Sequence, residues 1–275
     1  MDSTPATAGP STGYLMRPDG RVAYDLGGDG PLVVLVPGMG DLRTSYRFFA
    51  PALRAAGYRV ACSDLRGHGD SDTTFSSYGD TETAGDIVAL IEELQGPAVV
   101  VGSSMGAGAA VIAAADRPEL VRGLVLLGPF VRNPPASAGL RIILRLAMAR
   151  PWVAMTWKGY LPRLYAGRRP GDFDAYRAAV IANLRRPGYA RSFSLTTRTS
   201  HEPAAARVAD VRCPTLVVMG ELDPDFKDQR GEAEWVAGAL GGEVVMVAEA
   251  GHYPQSQRPD LTTPAVLRFL ASLEA

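Results

Sequence analysis

Short, largely apolar runs bounded by glycine and proline recur along the chain, at residues 32–36, 58–62, 98–101, 123–127, 215–219 and 243–247. They are rich in valine and leucine and do not alternate, the pattern of strands buried on both faces. Helix-length stretches separate most of them, at 45–56, 81–95, 104–116, 229–240 and 260–273. Strand and helix in alternation predict an α/β fold, a mostly parallel sheet with helices on both faces. Ahead of these, residues 14–16 and 21–26 flank Pro18-Asp19-Gly20, a turn signal that predicts an antiparallel hairpin.

The alternation breaks between residues 127 and 215, where helices are expected at 140–150, 153–160, 173–184 and 189–200. A helical insertion between two parallel strands sits at a strand end, and ligands bind at the carboxyl ends of such sheets. The insertion is therefore placed like a lid. The expected division is a disordered tail at 1–13, a core made of 14–130 and 210–275, and a helical cap at 131–209.

Charge follows the same division. Residues 131–209 hold 13 arginines and Lys158 against Asp172, Asp174 and Glu202, an excess of eleven positive charges; the rest of the chain carries an excess of twelve negative ones. The whole is nearly neutral, at −1, which argues against a nucleic-acid protein. Mean hydropathy is +0.02 and no apolar run reaches 18 residues, so no membrane span is expected. The first 13 residues lack the basic start and apolar core of a signal peptide, and a cytoplasmic location is the expectation. Two cysteines, Cys62 and Cys213, make neither a disulfide framework nor a four-ligand zinc site. With only three histidines (His68, His201 and His252), no metal and no cofactor are expected.

Residues 98–107, AVVVGSSMGA, are a strand, then Gly102-x-Ser104-x-Gly106, then the start of an alanine-rich helix. A strand that turns at once into a helix forces its central residue into strained dihedrals and brings backbones close, which the two glycines permit. Ser104 then projects at a helix N-terminus, where free N–H groups favour negative charge. Ser103 is adjacent but out of position in the pattern.

A nucleophilic serine needs a base, and the base an orienting acid. His252 follows the last apolar run in Ala250-Gly251-His252-Tyr253-Pro254, and Asp223 follows the run at 215–219 in Gly220-Glu221-Leu222-Asp223-Pro224. Ser104, Asp223 and His252 all follow strands, so all three are expected at one sheet edge, in the chain order of the nucleophile-elbow hydrolases. Asp225 is a rival acid two residues on. Acyl chemistry also needs donors to a developing oxyanion. The backbone N–H groups of Met105, after the nucleophile, and of Met39, in the turn Pro37-Gly38-Met39-Gly40, are the candidates.

From Tyr14 to Ser272 the chain resembles the α/β-hydrolase superfamily. The residues that carry the likeness include Asp64-Leu65-Arg66-Gly67-His68-Gly69-Asp70-Ser71, similar to the family's D-x-R-G-x-G-x-S turn, and Gly251-His252 with Pro259, where Gln257 stands in place of the usual glutamate. The resemblance implies an eight-stranded, mostly parallel sheet with its first pair antiparallel, and a cap inserted after the sixth strand. It also implies that His68 is structural. Pro37-Gly38 replaces the family's usual His-Gly before the oxyanion residue. Relatives that cleave haloalkanes or epoxides carry aspartate at the elbow, where this chain has Ser104.

Substrate choice is expected to lie with the cap. Trp152, Trp157 and Tyr160, with Gly38 and Phe130 from the core, are candidate substrate-binding residues; the cap aromatics equally suit the cap's own core. Arg141, Arg145, Arg150, Arg163, Arg168 and Arg169 form a basic face that is solvated, docks on the acidic body, or steers an anionic substrate. The expected activity is a cofactor-independent serine hydrolase of a small carboxylic ester. C–C hydrolysis, perhydrolysis or acyl transfer with the same triad, and ligand sensing on this fold, remain alternatives. The expected partner is a small molecule; the oligomeric state is open.

Overall fold

A computed structural model describes residues 9–134 and 137–274. The first eight residues of the expected tail, and the side chain of Arg141, lie outside the described residues. Eight strands form one sheet: β1 (Ser11–Arg17), β2 (Gly20–Gly27), β3 (Leu32–Val36), β4 (Arg59–Ser63), β5 (Ala98–Ser103), β6 (Val121–Leu127), β7 (Thr215–Gly220) and β8 (Glu243–Val247). Their spatial order is β1-β2-β4-β3-β5-β6-β7-β8. β2 runs antiparallel to both β1 and β4, and every other pairing is parallel.

Successive residues of the central strands enter opposite layers, as the two-residue strand period requires. Val34, Val100, Leu124, Leu126 and Val217 pack with helices α2 (Asp80–Glu93), α3 (Met105–Asp116) and α9 (Gln229–Leu240). Val33, Leu35, Val99, Val101, Val125 and Val218 pack with α1 (Phe49–Ala55) and α11 (Pro259–Ser272). A strand with a helix on each side has no solvent face, which explains the unbroken apolar runs.

One expectation fails at the edge. The chain is not a free tail up to Gly13: Ser11, Thr12 and Gly13 belong to β1 and pair with Leu26, Asp25 and Tyr24. The Thr12 hydroxyl donates to Asp25 at 2.7 Å. The Tyr24 ring lies so close over Gly13 that a Cβ there would meet it at 2.7 Å. Polar, glycine-containing sequence suits this edge strand because the ring across the ladder supplies the missing apolar contact.

Between β6 and β7 the chain leaves the sheet for α4 (Ala138–Ala147), α5 (Val153–Leu164), α6 (Phe173–Leu184), α7 (Tyr189–Thr196) and the single turn α8 (Glu202–Ala205). Helices α5 to α7 share their own apolar cluster, including Trp157, Leu161, Tyr176, Val180 and Phe193. They are tied to loops at the carboxyl ends of the strands. The Asn183 amide exchanges two hydrogen bonds with Gly69, at 2.8 and 3.2 Å. Arg47 pairs with Asp172 at 2.6 Å, and the Tyr189 hydroxyl donates to the Ser71 carbonyl at 3.1 Å. The last short helix, α10 (Pro254–Gln257), follows β8 and precedes α11.

Candidate active site

Ser104 stands between β5 and α3 with φ 55° and ψ −121°. This is a left-handed value at a non-glycine residue, a strain of about 1–3 kcal/mol that the surrounding packing must hold. The holding contacts are backbone ones. A Cβ on Gly102 would lie 2.3 Å from the Gly106 carbonyl oxygen, and one on Gly106 would lie 2.6 Å from that of Val36. The Ser104 N–H donates to the Leu127 carbonyl at 2.9 Å, and its own carbonyl accepts from Ala107 at 3.0 Å and Phe130 at 3.3 Å. Both glycines are thus required by close approach, and Ser104 stands at the head of α3, 7% exposed.

His252 and Asp223 emerge beyond β8 and β7 and meet, with Nδ1 of His252 2.7 Å from Oδ2 of Asp223. Asp223 is fully buried and His252 nearly so. The His252 N–H donates to the Leu164 carbonyl at 2.8 Å, so a residue of α5 fixes the histidine loop. Asp225 lies farther off, 3.8 Å from Nδ1, and takes the Tyr160 hydroxyl as its partner. Of the two rival acids, the geometry favours Asp223. Burial alone would lower the His252 pKa, but the carboxylates of Asp223, Asp225 and Asp41 outweigh it and raise it to about 9. Burial raises the Asp225 carboxyl, opposed by the charge of His252. With the proton of a neutral imidazole held on Nδ1 by Asp223, Nε2 is the basic atom.

The turn after β3, the candidate donor to an oxyanion, lies against Ser104. A Cβ on Gly38 would stand 2.7 Å from Cβ of Ser104. Among the described residues, neither the Met39 nor the Met105 N–H donates to a protein acceptor. The turn is braced by two groups. The Gly40 N–H donates to Nε2 of His68 at 3.0 Å, and the Trp157 indole donates to the Gly40 carbonyl at 2.8 Å. His68 also meets the Arg66 carbonyl through Nδ1 at 2.9 Å. Only the tautomer protonated on Nδ1 satisfies both contacts. Burial lowers its pKa to about 4, so it is a neutral brace.

Of the expected substrate-binding residues, the structure brings Gly38, Phe130, Trp157 and Tyr160 to this site. Phe130 lies edge-on to His252, with centroids 5.9 Å apart, and stacks on His201 at 5.4 Å. Trp152 does not belong with them and is a correction. It is 46% exposed at the start of α5, and its indole donates to the Leu146 carbonyl at 2.7 Å. Trp157, Leu161 and Leu164 take the inner stripe of that helix, which turns Trp152 and Met155 outward.

Three features escaped sequence reasoning. His201 forms a second buried pair, with Nδ1 2.8 Å from Oδ2 of Asp80. Asp225 receives Tyr160. Gln257 closes a clamp: its Oε1 accepts from Gly251 at 2.9 Å and Tyr253 at 3.3 Å, and its Nε2 donates to the carbonyls of Ala166 and Arg168, both at 2.8 Å. The glutamine-for-glutamate departure was visible and was the available signal, since only the amide can donate. Asp223, Asp225 and His252 also offer three ligand atoms within 4.8 Å of one another. Their contacts to Tyr160 and to each other already engage these atoms, which fits proton transfer better than a metal.

Comparison with known proteins agrees with this architecture. The sequence profile of the alpha/beta hydrolase family matches residues 33–265, and the chain belongs to that family. BpoC of Mycobacterium tuberculosis, provisionally named a non-heme bromoperoxidase, is 31% identical over 93% of this chain and 99% of its own. The 2-hydroxymuconate semialdehyde hydrolase of Pseudomonas putida is 28% identical over 98% of this chain and 93% of its own. An esterase from Exiguobacterium antarcticum superposes with a TM-score of 0.81, covering 95% of this chain and 99% of its own, at 19% identity. No helix among the described residues is long and apolar enough to cross a membrane.

Proposed function

We propose that this protein is a serine hydrolase acting on a small carboxylic ester through an acyl-enzyme. The observation that carries the reading is the strained Ser104 at the head of α3, at the same sheet edge as a buried His252–Asp223 pair of 2.7 Å. Ser104 Oγ attacks the ester carbonyl while Nε2 of His252 takes its proton. Asp223 holds the imidazole and stabilises its charge. The N–H groups of Met39 and Met105 receive the oxyanion, and the alcohol leaves with the proton from His252. Water, deprotonated by the same imidazole, then releases the acid and restores Ser104.

The inserted helices act as a cap in this reading. Trp157 and Tyr160 cover the site from α5 while bracing the oxyanion turn and Asp225. The test is covalent labelling by a fluorophosphonate followed by turnover of esters with graded acyl length. Labelling of Ser104 with turnover of short esters supports the reading; labelling that survives Ser104→Ala rejects it. A panel that adds vinylogous diketones and peroxide as the second nucleophile separates ester hydrolysis from C–C cleavage and perhydrolysis.

A further inference from the structure

The inserted helices present a surface that the proposed reaction does not use. Ile142, Ile143, Leu144 and Leu146 of α4, with Trp152 just ahead of α5 and Met155 on it, are all between 46% and 71% exposed. They make one surface, because the Trp152 indole donates to the Leu146 carbonyl and the Thr156 hydroxyl to the Ala147 carbonyl at 2.8 Å. Solvent-facing apolar residues scattered singly are ordinary, but six together on two tethered helices are not.

The charge around this patch selects its occupant. Residues 131–171 contain no aspartate or glutamate and eight basic residues. Arg145 and Arg150 flank the apolar residues directly, and Lys158 and Arg163 follow on α5; all four are exposed. None of these four lies within ion-pair distance of a carboxylate among the described residues. An apolar face with a basic border is the arrangement of helices that lie in the plane of a membrane interface. A second copy of the chain fits poorly, because an isologous contact would set these cations against themselves.

We propose that α4 and the start of α5 dock on an anionic lipid surface. Ile142, Ile143, Leu146, Trp152 and Met155 enter the acyl boundary, and Arg145 and Arg150 meet the headgroups. The outward stripe of α5 then lies on lipid while its inward stripe, with Trp157 and Tyr160, covers the site. The docking does not depend on the reaction and is measured without turnover.

The experiment is flotation of the full chain with vesicles of phosphatidylglycerol and phosphatidylcholine, mixed at 1:1, or of phosphatidylcholine alone. Binding to the anionic vesicles is expected to exceed binding to the neutral ones by about 25-fold or more, at about fivefold for each arginine near the surface. It should weaken as salt rises from 0.01 to 0.15 M, where the screening length falls from about 30 to about 8 Å. Ile143→Glu/Leu146→Glu and, separately, Arg145→Glu/Arg150→Glu should each abolish flotation. Their melting temperatures and hydrolysis of a soluble ester should stay at the wild-type level. Tryptophan emission should be quenched by brominated lipid in the wild type. Equal flotation with neutral vesicles, no flotation with either, or a concentration-dependent dimer that the glutamates dissociate would each overturn the proposal.

Discussion

The sheet edge and the helices laid over it are held by different forces. At the edge, position is set by backbone crowding. Gly102, Gly106 and Gly38 leave no room for a Cβ, and Ser104 is driven to a positive φ by neighbours that cannot move. Over it, position is set by side chains reaching down. Trp157 holds Gly40, Tyr160 holds Asp225, Asn183 holds Gly69, and His201 holds Asp80. Chemistry that needs sub-ångström placement sits on the rigid part. The part that covers it is joined by side-chain hydrogen bonds and by apolar contact with Tyr253, Met39 and Leu42 of the core.

The sharpest way to break this comparison is at the elbow. Ser104→Ala should abolish fluorophosphonate labelling and lower kcat by about 10⁴-fold or more. The fold should survive, because the crowding belongs to the glycines and not to the hydroxyl. Circular dichroism and residual turnover measured together check both halves. Asp223→Asn should cost about 10⁴-fold in kcat, since the imidazole loses the partner that fixes its tautomer. Asp225→Asn should cost far less, in keeping with 3.8 Å against 2.7 Å. The opposite ranking would move the orienting role to the carboxylate that Tyr160 touches.

The pH profile sharpens the same point. A base must be neutral to act, and three carboxylates raise His252 to about 9. The rise of kcat/KM with pH should therefore have its midpoint well above the ordinary histidine value of about 6.5. Asp225→Asn should move that midpoint down. For stability the sign is opposite at His252 and His68, both buried. The raised His252 adds stability that is fully present below pH about 6.5 and is lost as pH rises through about 9. His68, lowered to about 4, adds stability that is present above pH about 6.5 and is lost as pH falls through about 4. Melting temperatures of His68→Gln and wild type between pH 4 and 7 should converge at the acid end.

How much of this was legible follows from what kind of contact does the holding. The central strands were visible because burial on both faces excludes polar residues, and 32–36 matches β3 without adjustment; 243–247 matches β8, an edge strand only partly buried, on its apolar run alone. That Ser104, Asp223 and His252 lie at one sheet edge was legible because each follows a strand. The choice between Asp223 and Asp225 was not, since two residues of loop carry no distance. Trp152 was assigned to the wrong side because aromatic residues stand both just ahead of α5, at 152, and on its inner stripe, at 157 and 160. The contacts of His68 and Gln257 were opaque for another reason: their partners are backbone N–H and C=O groups, which leave no mark on the sequence, although the glutamine in place of glutamate at 257 was itself visible. The family resemblance gave His68 its structural role without saying that it braces the turn after β3.

Gln257 offers a smaller and more selective break. As glutamate it would keep the two bonds accepted from Gly251 and Tyr253 and lose the two donated to Ala166 and Arg168. Its charge would also face two carbonyl oxygens in a buried place. Gln257→Glu should therefore destabilise the protein by about 1–3 kcal/mol. KM should rise more than kcat falls, because the join between the histidine loop and the covering helices is loosened while the triad is kept. Urea unfolding and steady-state kinetics on one ester separate the two effects.

The smallest effect is expected from salt, and it addresses the arginines directly. Opposite net charges on the two regions suggest that the helices are held down by ion pairs. The structure gives that idea little material. Among the described residues, the arginine pairs from 131–209 to the body are Arg132 with Glu232 at 2.6 Å, Arg207 with Asp116 at 2.8 Å, and Arg186 with Asp70 at 3.7 Å. One pair runs the other way, Arg47 with Asp172. Each has at least one partner more than a third exposed, and exposed pairs contribute about 0–1 kcal/mol. The joins to buried partners, through Trp157, Asn183 and Gln257, are not screened by salt. So kcat/KM for a neutral soluble ester should change by no more than about twofold between 0.01 and 0.15 M salt. A matched carboxylate-bearing ester is the second arm. A fall confined to that substrate shows that the unpaired arginines steer anions into the site. A large fall for both shows that the four surface pairs hold the helices after all, and that the hydrogen-bonded joins are weaker than their geometry implies.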